Sequence, residues 1–96
     1  MKVVYHPDVQ RDVSSILRHY DGINDKLGDE FWEELNAFIK KASANPQAFH
    51  FEASTRRRVN LRRFPYHFLF REIPDGIRIT AVRHHKQHPK HGLERR

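Results

Sequence analysis

Apolar residues recur with a helical period in the first half of the chain and with a period of two in the second. Val9, Val13, Ile16, Leu17 and Tyr20 are spaced by four, three, one and three residues, which puts them on one face of an α-helix. Pro7 suits the first turn of that helix and Asp8 its positive end, while Asp21-Gly22 supplies a stop, since glycine readily takes the left-handed conformation that ends helices. A second helix is predicted from a cap at Asn24 or Asp25 to the break at Asn45-Pro46. Its stripe carries Leu27, Phe31, Trp32, Leu35, Phe38, Ile39 and Ala42, so Trp32, Phe31 and Phe38 are read as core and not as base-stacking platforms. So short a connection folds the two helices into an antiparallel hairpin.

Before the helices, Lys2 to Tyr5 is a short apolar-rich run ahead of His6-Pro7, read as an opening strand. After them, Gln47 to Thr55 shows no period and is read as a loop. Then Val59 and Leu61, Phe68 and Phe70, and Ile77, Ile79 and Ala81 alternate with polar or smaller neighbours, which predicts three consecutive strands. Phe64-Pro65 and Pro74-Asp75-Gly76 mark the turns between them. The predicted fold class is α+β: an N-terminal strand, then an antiparallel helix hairpin packed on a mainly antiparallel sheet whose last three strands are consecutive. Residues 1–96 form one domain, with 86–96 an irregular or mobile polar tail. If the apolar set faces the helices, strand parity sends Arg58, Arg62, His67, Leu69, Arg71, Arg78, Thr80, Val82 and His84 to the opposite, uncovered face. A bulge in any strand would reverse part of that assignment.

Composition narrows the class. With 96 residues, 38% of them hydrophobic, the chain can bury one modest core, and with no cysteine it has neither disulfide nor thiolate metal site to support it. No apolar run is long enough for a signal peptide or a membrane span, so a cytoplasmic protein without membrane contact is expected. The charge is divided along the chain: Met1 to Glu52 hold six Lys/Arg against nine Asp/Glu, and Ala53 to Arg96 hold twelve against three. Cations gathered in one half suit a polyanion or an acidic protein partner, or serve only to solvate the surface.

The stretch RRFPYHFLFREIPDGIRITAVRHHKQHP, Arg62 to Pro89, resembles the signature half of RelE/ParE toxins: an aromatic-Pro-Tyr turn, a strand with an arginine near its end, a glycine turn, and a last strand closing in an apolar pair followed by histidine and basic residues. The helix hairpin and the Asn45-Pro46 break match as well. The resemblance implies the RelE/ParE-like fold and the toxin half of a type II toxin–antitoxin pair, which stops growth until a cognate antitoxin binds it in a hetero-oligomer. RelE-like members act on the ribosome and cut mRNA; ParE-like members inhibit DNA gyrase. The FPY turn and the residues after the last strand are closer to the ParE-like, plasmid-stabilisation branch. Where the RNA-cutting branch has an arginine after the tyrosine, this chain has His67.

Attack of a 2′-hydroxyl on its neighbouring phosphate needs a base, a cation for the crowded phosphate and an acid for the leaving oxygen. It needs no cofactor and no metal. His67 and His84 with Arg71 and Arg78 could supply that set from adjacent strands, with His85 beside them, if the chain is an endoribonuclease. The alternative is that His67 and His84 are unreactive strand residues. The run Arg56, Arg57 and Arg58, with Arg62, Arg63, Arg78, Arg83 and Lys86, could bind a target or nucleic acid, or an acidic antitoxin segment. His84, His85, His88 and His91 do not make a zinc site, because Pro89 forbids the helix their spacing would need and no carboxylate or cysteine completes the set. A basic nucleic-acid-binding module without toxicity ranks last, for want of a recognition-helix motif or aromatic RNA-binding strand.

Overall fold

A computed structural model of the chain describes residues 2–53 and 55–96. Strand β1 (Lys2–Tyr5) leads through His6-Pro7 into α1 (Val9–Asp21), which buries Val9, Val13 and Ile16. The helix ends without a left-handed residue: Gly22 stays at φ −69°, its N–H bonded to the Arg18 carbonyl, and the chain turns as Ile23 and Asn24 both donate to the Tyr20 carbonyl. Asn24 caps α2 (Asp25–Ala44) by accepting from the Lys26 N–H at 2.8 Å. Phe31, Leu35, Ile39 and Ala42 are buried along α2. Trp32 is not core but 50% exposed. One residue past Phe31 is about 100° around the helix, which carries Trp32 off the buried stripe.

The sheet has five strands in the order β1-β5-β4-β3-β2, with β1 parallel to β5 and the other pairs antiparallel. The strands β3 (Arg56–Asn60), β4 (Tyr66–Ile73) and β5 (Gly76–His84) are the consecutive trio expected. The fifth, β2 (Phe51–Ala53), lies where a loop was expected, after a short 3-10 turn at Pro46–Ala48. Three residues are too few to show a period, and β2 is held as an edge by pairing with β3 and by Arg57 stacked 4.1 Å over the Phe51 ring.

Phe68, Phe70, Ile77 and Ile79 project from one face of the sheet onto the hairpin and are fully buried. Each such side chain stabilises the fold by about 1.5–3 kcal/mol. Tyr20, Phe31, Phe64 and Tyr66 close one end of this core with edge-on ring contacts, among them Tyr20–Phe64 at 5.1 Å and Phe31–Tyr66 at 5.5 Å, which clamp the Phe64-Pro65-Tyr66 turn to the helices.

Two expectations for the second face are corrected. The β4–β5 ladder slips between Leu69 and Phe70: Leu69 pairs with Ala81 but Phe70 with Ile79, leaving Thr80 as an extra residue. Beyond this bulge parity reverses, so Val82 joins the core beside Phe68 and His84 sits opposite Tyr66, while Ala81 and Arg83 turn to the second face. Nor is that face uncovered, since His67, Leu69, Thr80, Ala81 and Arg83 are all buried. Residues 86–96 contain turns and no helix or strand, yet they lie across it. Gly92, at φ +77°, comes so close that a Cβ there would stand 2.8 Å from the Ala81 Cβ. Arg95 reaches the Thr80 carbonyl and the Asp12 carboxylate of α1.

Candidate functional site

At the wide end of the second face, pairing of β4 with β5 sets His67 opposite Arg83, and pairing of β3 with β4 adds Asn60 and Arg58. Arg83 Nε donates to His67 Nε2 at 2.7 Å, so that nitrogen is an acceptor and the ring proton is on Nδ1. His67 Nδ1 therefore donates to His85 Nδ1 at 2.9 Å, and His85 holds its own proton on Nε2. The two rings stack 10° from parallel. Glu52 of β2 joins the cations, accepting from Arg83 Nη2 at 3.1 Å and from Arg58 Nη1 at 3.3 Å, while Arg58 Nε donates to Asn60. The remaining nitrogen of Arg83 donates to the carbonyls of Pro89 and His91 in the tail at 2.6 and 2.9 Å.

Burial is the first cause that holds His67 neutral, and the neighbouring Arg58 and Arg83 guanidiniums add to it, pushing its pKa down to about 3. Burial lowers His85 too, with Arg58 and His84 contributing. Both are neutral imidazoles at physiological pH. His67, 1% exposed and bonded through both nitrogens, presents no free lone pair for a proton.

The other candidates do not gather around it. Arg71 lies four residues along β4 from His67, about 13 Å at strand rise, and turns to the tail with Arg78. His84 is on the opposite face, edge-on to Tyr66 at 4.9 Å, in a cleft with Arg11 and His19. Arg62 and Arg63 sit over the acidic side of α2: both main-chain N–H groups donate to Glu34, and the Arg63 side chain pairs with Glu30. Arg83 was a candidate binding residue, but at 2% exposure it is an internal strut. This end of the face offers Arg58, His85 and Lys86 to solvent, together with Glu52 and Asn60, the partners of Arg58.

Glu52, Asn60, Asp12 and Arg95 were absent from the candidates. Glu52 carried a signal, being the sole acidic residue between Glu34 and Glu72 and standing just before the arginine run. Away from the cations, an apolar groove of about 570 Å3 runs between α1 and α2, lined by Tyr5, Val9, Val13, Trp32, Leu35 and Ile39 among others. Among the described residues no group of three or more His, Cys, Asp or Glu side chains is placed to hold a metal ion, and no helix is long and apolar enough to cross a membrane.

No family model and no curated protein matches the chain. Its backbone is nevertheless similar to that of a solved chain of the chromosomal ParDE TA system from P. aeruginosa, with a TM-score of 0.76 over 88% of this chain and 95% of that one, at 22% sequence identity. By architecture and by this likeness, the chain has the α+β fold of that ParDE chain, in agreement with the fold that the FPY turn and its last strand imply.

Proposed function

We propose that the chain is the toxin component of a type II toxin–antitoxin system, that a cognate antitoxin neutralises it in the cytoplasm, and that it acts by ParE-like inhibition of DNA gyrase. The fold likeness supports the toxin class. What favours binding over cleavage is the state of His67: sealed, neutral and bonded on both nitrogens, it is not a proton acceptor, and Arg71 and His84 are directed elsewhere. A metal-independent endoribonuclease would have to work from His85 alone beside Arg58. There the outward nitrogen of His85 carries the proton, so it offers a donor and no base.

Induced expression of the chain alone is expected to stop growth, and co-expression with the product of an adjacent antitoxin gene to restore it. Purified protein is expected to inhibit supercoiling by gyrase and to leave mRNA intact on ribosomes. His67→Gln, His84→Gln and His85→Gln should retain toxicity, whereas Arg58→Ala combined with Lys86→Ala should lose it. A histidine variant that still binds ribosomes but no longer cuts message would replace the gyrase reading with the nuclease one.

A further inference from the structure

The cleft that holds His84 lies between α1 and the end of β5, has a volume of about 360 Å3, and is used by no part of the toxin reading. Its size is that of a small-ligand site. One wall is helical: Arg11, Ser15 and His19 follow at intervals of four, so they form an exposed row along one side of α1, about 12 Å long at helical rise. Facing them are His84 and Gln87, and Tyr66 of β4 borders the same space. His84 Nδ1 accepts from the Lys86 N–H at 3.0 Å, which puts the ring proton on Nε2. Gln87 Oε1 accepts from the His84 N–H at 2.7 Å, which leaves both amide hydrogens of Gln87 to donate. Among the described residues, the Arg11 guanidinium and the Ser15 and Tyr66 hydroxyls have no side-chain hydrogen bond or ion pair. Tyr66 is the most exacting of these, since only 9% of it is exposed and a buried hydroxyl calls for a partner. The carboxylate on the wall, Asp12, is already spent: Arg95 holds both of its oxygens, at 2.6 and 3.2 Å, the Val82 N–H donates to one of them, and His91 Nε2 stands 3.9 Å from the other. Asp8, a second partner of Arg95 at 3.7 Å, does not border the cleft.

We propose that this cleft binds a phosphate group, held from the helix by the Arg11 fork and the Ser15 hydroxyl and from the sheet side by Tyr66, His84 and Gln87. An anion is called for because the walls gather donors around one unpaired guanidinium and offer no free carboxylate. Phosphate fits better than a carboxylate because donors on a helix and on a strand approach from two sides. A tetrahedral group presents oxygens to both, whereas the two oxygens of a carboxylate lie in one plane along one edge. The row on α1 continues past the reach of one phosphate to His19, which leaves room for a group that carries it. The ligand is therefore either free phosphate or the phosphate of a nucleotide, and both present the same oxygens.

The test is titration of the full chain with inorganic phosphate at constant ionic strength, followed by amide and imidazole NMR shifts. Saturable shifts are expected at Arg11, Ser15, Tyr66, His84 and Gln87. Binding should weaken roughly tenfold for Arg11→Gln, which removes a charged fork, and about threefold for Tyr66→Phe, which removes one neutral donor. Lys40→Gln on α2 should leave it unchanged. Arg11 is exposed and the Tyr66 hydroxyl holds nothing in the fold, so neither change disturbs folding. A parallel titration with adenosine monophosphate separates the two sources. Tighter binding than phosphate with the same dependence on Arg11 and Tyr66 assigns the site to a nucleotide, and no gain over phosphate assigns it to the free ion. Shifts that never saturate, that acetate reproduces equally well, or that survive both Arg11→Gln and Tyr66→Phe would overturn the proposal.

Discussion

His67 is held in its neutral form by the same contacts that bury it. Arg83 can donate to Nε2 only while that nitrogen is unprotonated, so protonation would break the bond and place a third cation between Arg58 and Arg83. The sign of the pH effect follows. The folded-state pKa, about 3, lies below the ordinary value of 6.5, so stability from this residue is complete above pH 6.5 and is lost as pH falls towards 3, where the unfolded chain binds a proton that the folded chain refuses. The steepest loss is about 1.4 kcal/mol per pH unit, one proton's worth. Glutamine can accept from Arg83 with its oxygen and donate to His85 with its amide. Urea midpoints measured between pH 7 and 4 are therefore expected to fall less steeply for His67→Gln than for the natural protein. Parallel curves would show that His67 titrates normally and that its contacts are looser than the geometry indicates.

The tail is the element that most changes the meaning of the residues beneath it. Its attachment depends on Gly92, the one left-handed residue among those described, and on the buried Asp12 carboxylate, which accepts Arg95 Nη1 at 2.6 Å and the Val82 N–H at 3.0 Å. Asp12→Ala would strand both donors, and breaking a buried pair in this way costs about 3–5 kcal/mol. Gly92→Ala meets both the φ penalty and the Ala81 methyl, with an expected loss of about 1–2 kcal/mol. Hydrogen exchange at Leu93 and Arg95 should accelerate in both variants, and unchanged protection would mean that the tail is held by other contacts. None of this was legible in the sequence, because 86–96 is polar and aperiodic, and its anchor Asp12 is 83 residues from Arg95 while the nearer partners Ala81 and Arg83 lie inside a strand whose alternation gives no sign of what covers it. The helices and the three long strands were legible, since Phe31, Leu35 and Ile39, or Phe68 and Phe70, repeat with the period of their element. The Thr80 bulge was not: Thr80, Ala81 and Val82 are all residues that sit readily on either face, so the alternation contains no mark of the slip. It moved His84 away from His67, and with that the site expected from strict parity came apart.

The molecule as a whole presents two unlike surfaces, an apolar groove on the helix side and a cationic sheet side, and the charge split between the chain's halves follows that division. A neutralising partner with an amphipathic, acidic segment could cover both, its apolar side chains in the groove and its carboxylates at Arg58 and Lys86, with the opposed charges speeding and orienting association. Ordering such a segment costs entropy, so a contact on one surface alone would hold it weakly. Trp32 reports on this directly: it is the chain's single tryptophan, half exposed, and it lines the groove. Titrating the protein with the C-terminal segment of the adjacent antitoxin is expected to blue-shift Trp32 emission as the indole leaves water. Leu17→Glu, at a half-buried position lining the groove, should weaken binding by more than 2 kcal/mol, about thirtyfold, because it places an unpaired carboxylate against the incoming segment. Arg58→Ala with Lys86→Ala should instead slow association and flatten its salt dependence, with less change in dissociation. Tight binding that leaves Trp32 emission unchanged and tolerates Leu17→Glu would place the antitoxin away from the groove.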